Sequence, residues 1–229
     1  MDLRNPMMHR PVVKQEIVDF MRTRQKQLTG PLREIQRVAN ENDVPIIPHE
    51  TVVFLQFLLK QLKPKEILEI GAAIGFSSSL MSEYVAEDGH VTTIDRFDVM
   101  IRKARANYKA LGLEGKITLL EGDAKDILPT LDKKYDFIFM DSAKSKYIEF
   151  LPYLLDCLEV GGVIMIDDVL QAGTILQPIE EIPRNQRTIY RKLNLLFDTV
   201  LEHPDLTSSL IPLGDGVLLI TKDKENIDL

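Results

Sequence analysis

Apolar residues change their spacing near Glu66. Before it they recur every three to four positions, in VVKQEIVDFMRTRQKQL (12–28), PLREIQRVANEN (31–42) and, after Pro48, HETVVFLQFLLKQL (49–62). That period predicts three amphipathic helices. After it come short continuous apolar runs: EILEIG (66–71), VTTID (91–95), ITLLEG (117–122), DFIFMD (136–141) and GVIMIDD (162–168). Helical patterns lie between them: FSSSLMSEYVAE, DVMIRKARANYKALG and KYIEFLPYLLDCLEVGG, the last expected to close on a glycine cap.

Short apolar strands alternating with helices predict a parallel sheet covered on both faces. Right-handed crossovers make it doubly wound. The tail breaks the rhythm, because LTSSLIPL, the turn GDG and VLLITK read as two strands of a tight hairpin. The fold class expected is therefore α/β: a Rossmann-like, mostly parallel seven-stranded sheet with a C-terminal antiparallel hairpin and extra N-terminal helices. No repeat or linker divides the chain, so one domain is expected over 1–229, with a helical segment at 1–62 and the core at 63–229.

Composition narrows the chemistry. Of 229 residues, 45% are hydrophobic and 28% charged, as in ordinary globular proteins. No apolar run approaches the roughly 20 residues of a membrane span, and the N-terminus lacks an apolar signal core, so a cytoplasmic protein is expected. A single cysteine, Cys157, excludes an intramolecular disulfide and a cysteine-rich zinc site. With four scattered histidines, any metal would be held by oxygen. The net charge of −7 argues against a general polycation and leaves room for a local basic face.

Acids collect where the strands end: Glu69, Asp95, Asp123, Asp141, and the pair Asp167 and Asp168. One such acid caps the next helix; a series over five strands fits a crevice at the carboxyl edge of the sheet. The first turn, EIGAAIG, carries Gly71 and Gly75, which permit a close approach of backbone to ligand. Asp95, about 20 residues on, suits two ribose hydroxyls. Neither G-x-G-x-x-G nor a P-loop is present, so a cofactor with a ribose and no pyrophosphate fits better than a dinucleotide; S-adenosylmethionine is such a cofactor. The acids ending the fourth and fifth strands could converge on a cation; alternatively, Asp168 caps the next segment and Asp167 pairs with a lysine.

In order, ILEIGAAIGFSS, VTTIDR, GDAKDIL, YDFIFMDSAKSKY and GGVIMIDDVL resemble the successive motifs of class I, metal-dependent O-methyltransferases of the catechol and caffeoyl-CoA type. The likeness runs from about Val44 to the GDGVLLITK hairpin. Within that family, DSAKSKY and VPII most resemble the bacterial enzymes that methylate 5-hydroxyuridine at the tRNA wobble position. The resemblance implies a cofactor site in which Glu69, Gly71 and Ser77 line the methionine end under Ile47, with Ala72, Gly75 and Asp141 also contacting the cofactor. Asp95 would hold the ribose, with Arg96, Asp123 and Ala124 around the adenine. It implies a divalent cation, Mg²⁺ or Mn²⁺, on Asp141, Asp167 and Asp168, although many relatives carry Asn at the last position. Lys144 would assist departure of the acceptor proton, with Lys146 as its rival.

Two acceptor classes remain. A tRNA anticodon stem-loop would meet His9, Arg10, Lys14, Arg22, Arg24 and Lys26, and, past the loop QAGTILQPIEEIP, Arg184, Arg187, Arg191 and Lys192, with Tyr190 for base stacking. A catechol or acyl-CoA phenol would chelate the cation in the same two-point way. A nicotinamide-dependent oxidoreductase or nucleotide-binding module is disfavoured by the glycine pattern. A homodimer is expected from the apolar N-terminal helices, as in many relatives.

Overall fold

A computed structural model describes residues 13–229. Three helices, α1 (Gln15–Arg24), α2 (Gly30–Glu41) and α3 (His49–Leu62), precede the sheet. Alternating elements follow: β1 (Glu66–Ile70), α4 (Phe76–Ser82), β2 (His90–Asp95), α5 (Asp98–Leu111), β3 (Ile117–Glu121), α6 (Ala124–Ile127), β4 (Tyr135–Met140), α7 (Tyr147–Cys157) and β5 (Leu158–Ile166). The chain ends with α8 (Arg187–Val200), β6 (Leu206–Ile211) and β7 (Val217–Lys222).

The seven strands lie in the order β3-β2-β1-β4-β5-β7-β6. The first five are parallel, and β7 runs antiparallel between β5 and β6. Ile67, Leu68, Phe137, Ile138, Phe139, Ile164, Met165 and Ile166 are fully buried, because helices cover both faces and continuous apolar strands have no wet side. Strand order reverses between β1 and β4. A ligand crevice belongs at such a switch point, beyond the carboxyl ends of the strands.

The N-terminal helices share the core of one sheet face. Leu32, Leu55 and Leu59 pack in one cluster with Ile67, Phe137 and Met165. Arg22 of α1 donates from Nε and Nη2 to the Glu50 carboxylate, at 2.7 and 2.8 Å, and Glu50 is 1% exposed. This fork holds α1 onto the start of α3. Among the described residues no helix is long and apolar enough to cross a membrane.

Two boundaries differ from expectation. The pattern 146–162 is not one helix ending on a glycine: α7 stops at Cys157, and Leu158 is already extended and paired with Tyr135. The register then slips, so that Phe137 pairs with Val163. Gly161 takes φ +79° inside this irregular stretch, which explains why the glycines looked like a cap. The hairpin is also looser than the turn GDG alone, with residues 212–216 joining β6 to β7. Between β5 and α8, the loop QAGTILQPIEEIP is anchored by buried Ile175 and Ile182.

Candidate active site

A cleft of about 560 Å³ opens beyond the ends of β1 to β4. Its tightest point is Gly71. The residue has φ +105°, and a Cβ there would stand 2.0 Å from the Asp141 carbonyl oxygen. Only glycine lets the two switch-point strands finish this close together. The sheet ladder continues past the strands, with Gly71 N–H donating to Ile94 O (2.9 Å) and Asp141 N–H to Ile70 O (3.1 Å).

Asp95 ends β2 with 8% exposure. Its two oxygens accept from the backbone amides of Ala73 and Phe97, each at 2.8 Å, and retain lone pairs for hydroxyl donors. Ala72, Ser77, Asp123, Ala124 and Asp141 also line the cleft, and Ile47 closes it from the segment before α3. Arg96 lines it too, but its guanidinium bonds Asp123 at 2.8 Å and stacks 5.0 Å from the Phe97 ring. Phe97, Met100 and Phe150 supply an apolar wall that sequence reasoning missed. The aromatic directly after the β2 acid was its available signal.

Two expected cofactor residues do not reach the cleft. Gly75 packs under Tyr108, whose ring would stand 2.5 Å from an added Cβ, so it serves helix packing. Glu69 is fully buried behind the wall, where it accepts from the hydroxyls of Ser77 and Thr93. Through Ser77, which lines the cleft, it lies one hydrogen bond behind the wall. Burial pushes the Glu69 carboxyl up to about 7, against the pull of those hydroxyls. A raised carboxyl stabilises the fold fully below its unfolded value of 4.5, and that contribution is lost as pH rises through about 7. At pH 8, Glu69→Gln should gain up to about 3 kcal/mol over wild type, at ~1.4 kcal/mol per pH unit, and nothing at pH 4. Urea midpoints at the two pH values check this; equal differences at both would refute it.

The acids ending β4 and β5 lie next to the cleft. Asp141 borders it, while Asp167, 2% exposed, sits deeper, with its N–H on Met140 O (3.0 Å). Burial, and then the neighbouring Asp168 carboxylate, push both Asp141 and Asp167 well above the usual carboxylate range. Asp168 adopts φ +62°. The Tyr147 hydroxyl, itself buried, ties the two acid-bearing turns together: Asp167 O accepts from it at 3.2 Å, and Ser142 N–H donates to it at 3.3 Å.

The expected convergence of Asp141, Asp167 and Asp168 on one point is not reached. Among the described residues no three such side chains stand close enough to hold an ion as they are. Asp168 is drawn aside by Lys144, whose Nζ lies 3.1 Å from its carboxylate. The same Nζ is 3.2 Å from Asp215, an acid in the β6–β7 turn that sequence reasoning passed over as part of GDG. Three carboxylates at neighbouring strand ends, two of them with raised proton affinity, are nonetheless the all-oxygen donor set that suits a hard divalent cation. The Ser142 hydroxyl beside them is buried with no partner among the described residues. These residues would fit a divalent cation with Asp168 freed from Lys144, its partner as it stands.

The two lysines divide. Lys146 lines the cleft and pairs with Glu149 at 2.7 Å; Lys144 stands outside it, among the acids. Of the expected phosphate contacts, Arg22 is engaged by Glu50, Arg187 donates to the Ile182 and Glu180 carbonyls, and Lys192 pairs with Glu149. Arg184 and Arg191 remain exposed, as do Lys14, Arg24 and Lys26. His9 and Arg10 lie outside the described residues.

The sequence profile of the O-methyltransferase family matches residues 23–223. A tapetum-specific methyltransferase of Arabidopsis thaliana is 34% identical over 203 residues, 86% of each chain. A caffeoyl-CoA O-methyltransferase of Stellaria longipes is 30% identical over 172 residues, 71% of this chain and 70% of that enzyme. In fold, the chain resembles the methyltransferase PaMTH1 of Podospora anserina, solved with SAH bound. That structure has a TM-score of 0.82 at 24% identity and covers 93% of this chain and 97% of its own. With a cleft at the switch point and acids beside it, the chain belongs to the O-methyltransferase family, among its caffeoyl-CoA O-methyltransferase-like members.

Proposed function

We propose that the chain transfers a methyl group from S-adenosylmethionine to one of two adjacent acceptor oxygens with the help of Mg²⁺ or Mn²⁺, and that the acceptor is 5-hydroxyuridine at the wobble position of tRNA. The observation that carries the reaction is Asp141, which borders both the cofactor cleft and the acid cluster. Donor and acceptor held on its two sides are held together, and such orientation is worth roughly 7–11 kcal/mol of barrier.

Asp95 would take the ribose hydroxyls, and Phe97 and Met100 would cover the base. Asp141, Asp167 and Asp168 would hold the cation, which supplies a Lewis acid that lowers the pKa of the chelated hydroxyl. Lys144 Nζ receives the departing proton or draws it off electrostatically, next to Asp168.

The tRNA acceptor is supported by the local motifs DSAKSKY and VPII and by the exposed Arg184 and Arg191, the latter on α8, a helix that packs on the Lys144–Lys146 turn. A second reading, transfer to a phenol carried on coenzyme A, is favoured by the caffeoyl-CoA O-methyltransferases among its relatives. One assay separates them: labelled methyl donor with Mg²⁺, offered tRNA bearing 5-hydroxyuridine, catechol and caffeoyl-CoA side by side. Label in tRNA, falling steeply with added salt, supports the first. Label in the phenols alone replaces it with the second, and transfer that persists under a chelator overturns the metal.

A further inference from the structure

The turn between β6 and β7 lies beside the carboxyl end of β5 and the acids that follow it. Its Asp215 is 7% exposed. One carboxylate oxygen accepts from the Ala172 amide, and the other lies 3.2 Å from Lys144 Nζ. The turn's backbone is stitched to the segment after β5, with Val169 N–H on Gly216 O (3.1 Å) and Leu170 N–H on Asp215 O (2.8 Å). Gly216 packs against Leu170 so closely that a Cβ would meet its Cγ at 2.3 Å. Asp168, Gln171, Ala172 and Gly173 all take positive φ, between 49° and 76°, and this stitching holds them there.

Lys144 thus stands between two carboxylates of different duty. Asp168 belongs to the set proposed for the cation, whereas Asp215 is anchored to the backbone of the facing loop. We propose that Asp215 is a positioning residue: it holds Lys144 beside the acceptor when Asp168 turns to the cation, and it couples that amine to the loop after the metal acids. The inference rests on the role given to Lys144 above. Without Asp215, the amine would follow Asp168 or swing into solvent.

Asp215→Asn keeps an oxygen for the Ala172 amide and removes the charge that faces Lys144. The test compares wild type, Asp215→Asn, Lys144→Ala and the double variant, in methyl transfer to hydroxyuridine-bearing tRNA and to catechol. Asp215→Asn should lower kcat about 10- to 100-fold, the range of a charge-assisted hydrogen bond. The KM for the methyl donor and the Tm should stay near wild type. Added to Lys144→Ala it should cost nothing further. An independent readout is reductive methylation of lysines mapped by mass spectrometry, where Lys144 should react several-fold faster in Asp215→Asn. Full kcat in Asp215→Asn, or an equal loss in both backgrounds, overturns the positioning role and leaves the reaction standing. Wild-type turnover in Lys144→Ala overturns the role of Lys144 itself and the inference with it.

Discussion

Asp167→Asn is expected to make the metal-free protein more stable and the enzyme inactive. Asp167 is 2% exposed, and its carboxylate is disfavoured by burial and by Asp168 and Asp141. The oxygen that accepts from Asp168 N–H at 2.8 Å has a counterpart in asparagine, so the turn survives. Removing a buried, repelled charge should raise Tm by several degrees. Loss of a cation ligand should lower methyl transfer about 1,000-fold, since Lewis-acid stabilisation is worth several kcal/mol. Cofactor affinity, measured with SAH, should be unchanged, because Asp167 does not line the cleft. Asp141→Ala should lose both activity and cofactor affinity, because Asp141 borders both subsites. An Asp167→Asn protein of normal activity would remove Asp167 from the metal site, and one that melts below wild type would show that burial and its neighbours do not disfavour its charge.

Gly71→Ala carries the second large effect. A methyl group 2.0 Å from the Asp141 carbonyl oxygen meets backbone, which cannot rotate away, and φ +105° is itself strained for alanine. The ends of β1 and β4 must separate, breaking the bond from Asp141 N–H to Ile70 O. A loss of about 4 kcal/mol or more is expected, the range reserved for severe backbone conflict. SAH binding should disappear in whatever protein still folds. Gly75→Ala is the control: its conflict is with the Tyr108 ring, so it should cost stability while leaving part of the SAH affinity. If Gly71→Ala bound SAH like wild type, the close approach of the two strands would not be what shapes the cleft.

The sheet was readable because its strands are buried on both faces and so appear as unbroken apolar runs. The alternation of elements pointed to a doubly wound sheet, and the strand order with its reversal between β1 and β4 is read from the structure alone. Gly161 and Gly162 misled because a glycine pair after a helical pattern looks the same whether it caps the helix or lets a strand slip its register. In the site, residues that meet the cleft through backbone or strand-end geometry, such as Gly71, Ala72 and Asp95, were legible. The burial of Glu69 behind the wall was not legible, since period-two alternation does not say which buried face borders a cleft. Asp215 had no local signal, because GDG is what any turn would carry and its partner Lys144 is 71 residues away. The engagement of Arg22 by Glu50 was invisible for the same reason: a charge run on a helix does not reveal which members already have a partner.

The contact at Gly71 has a consequence for how such an enzyme can change over generations. Methyl-donor recognition and the metal acids share one seam, where a shift of an ångström between the two strands is felt on both sides at once. New acceptor preferences should therefore accumulate away from it, as at the start of α8, while the seam is inherited almost intact.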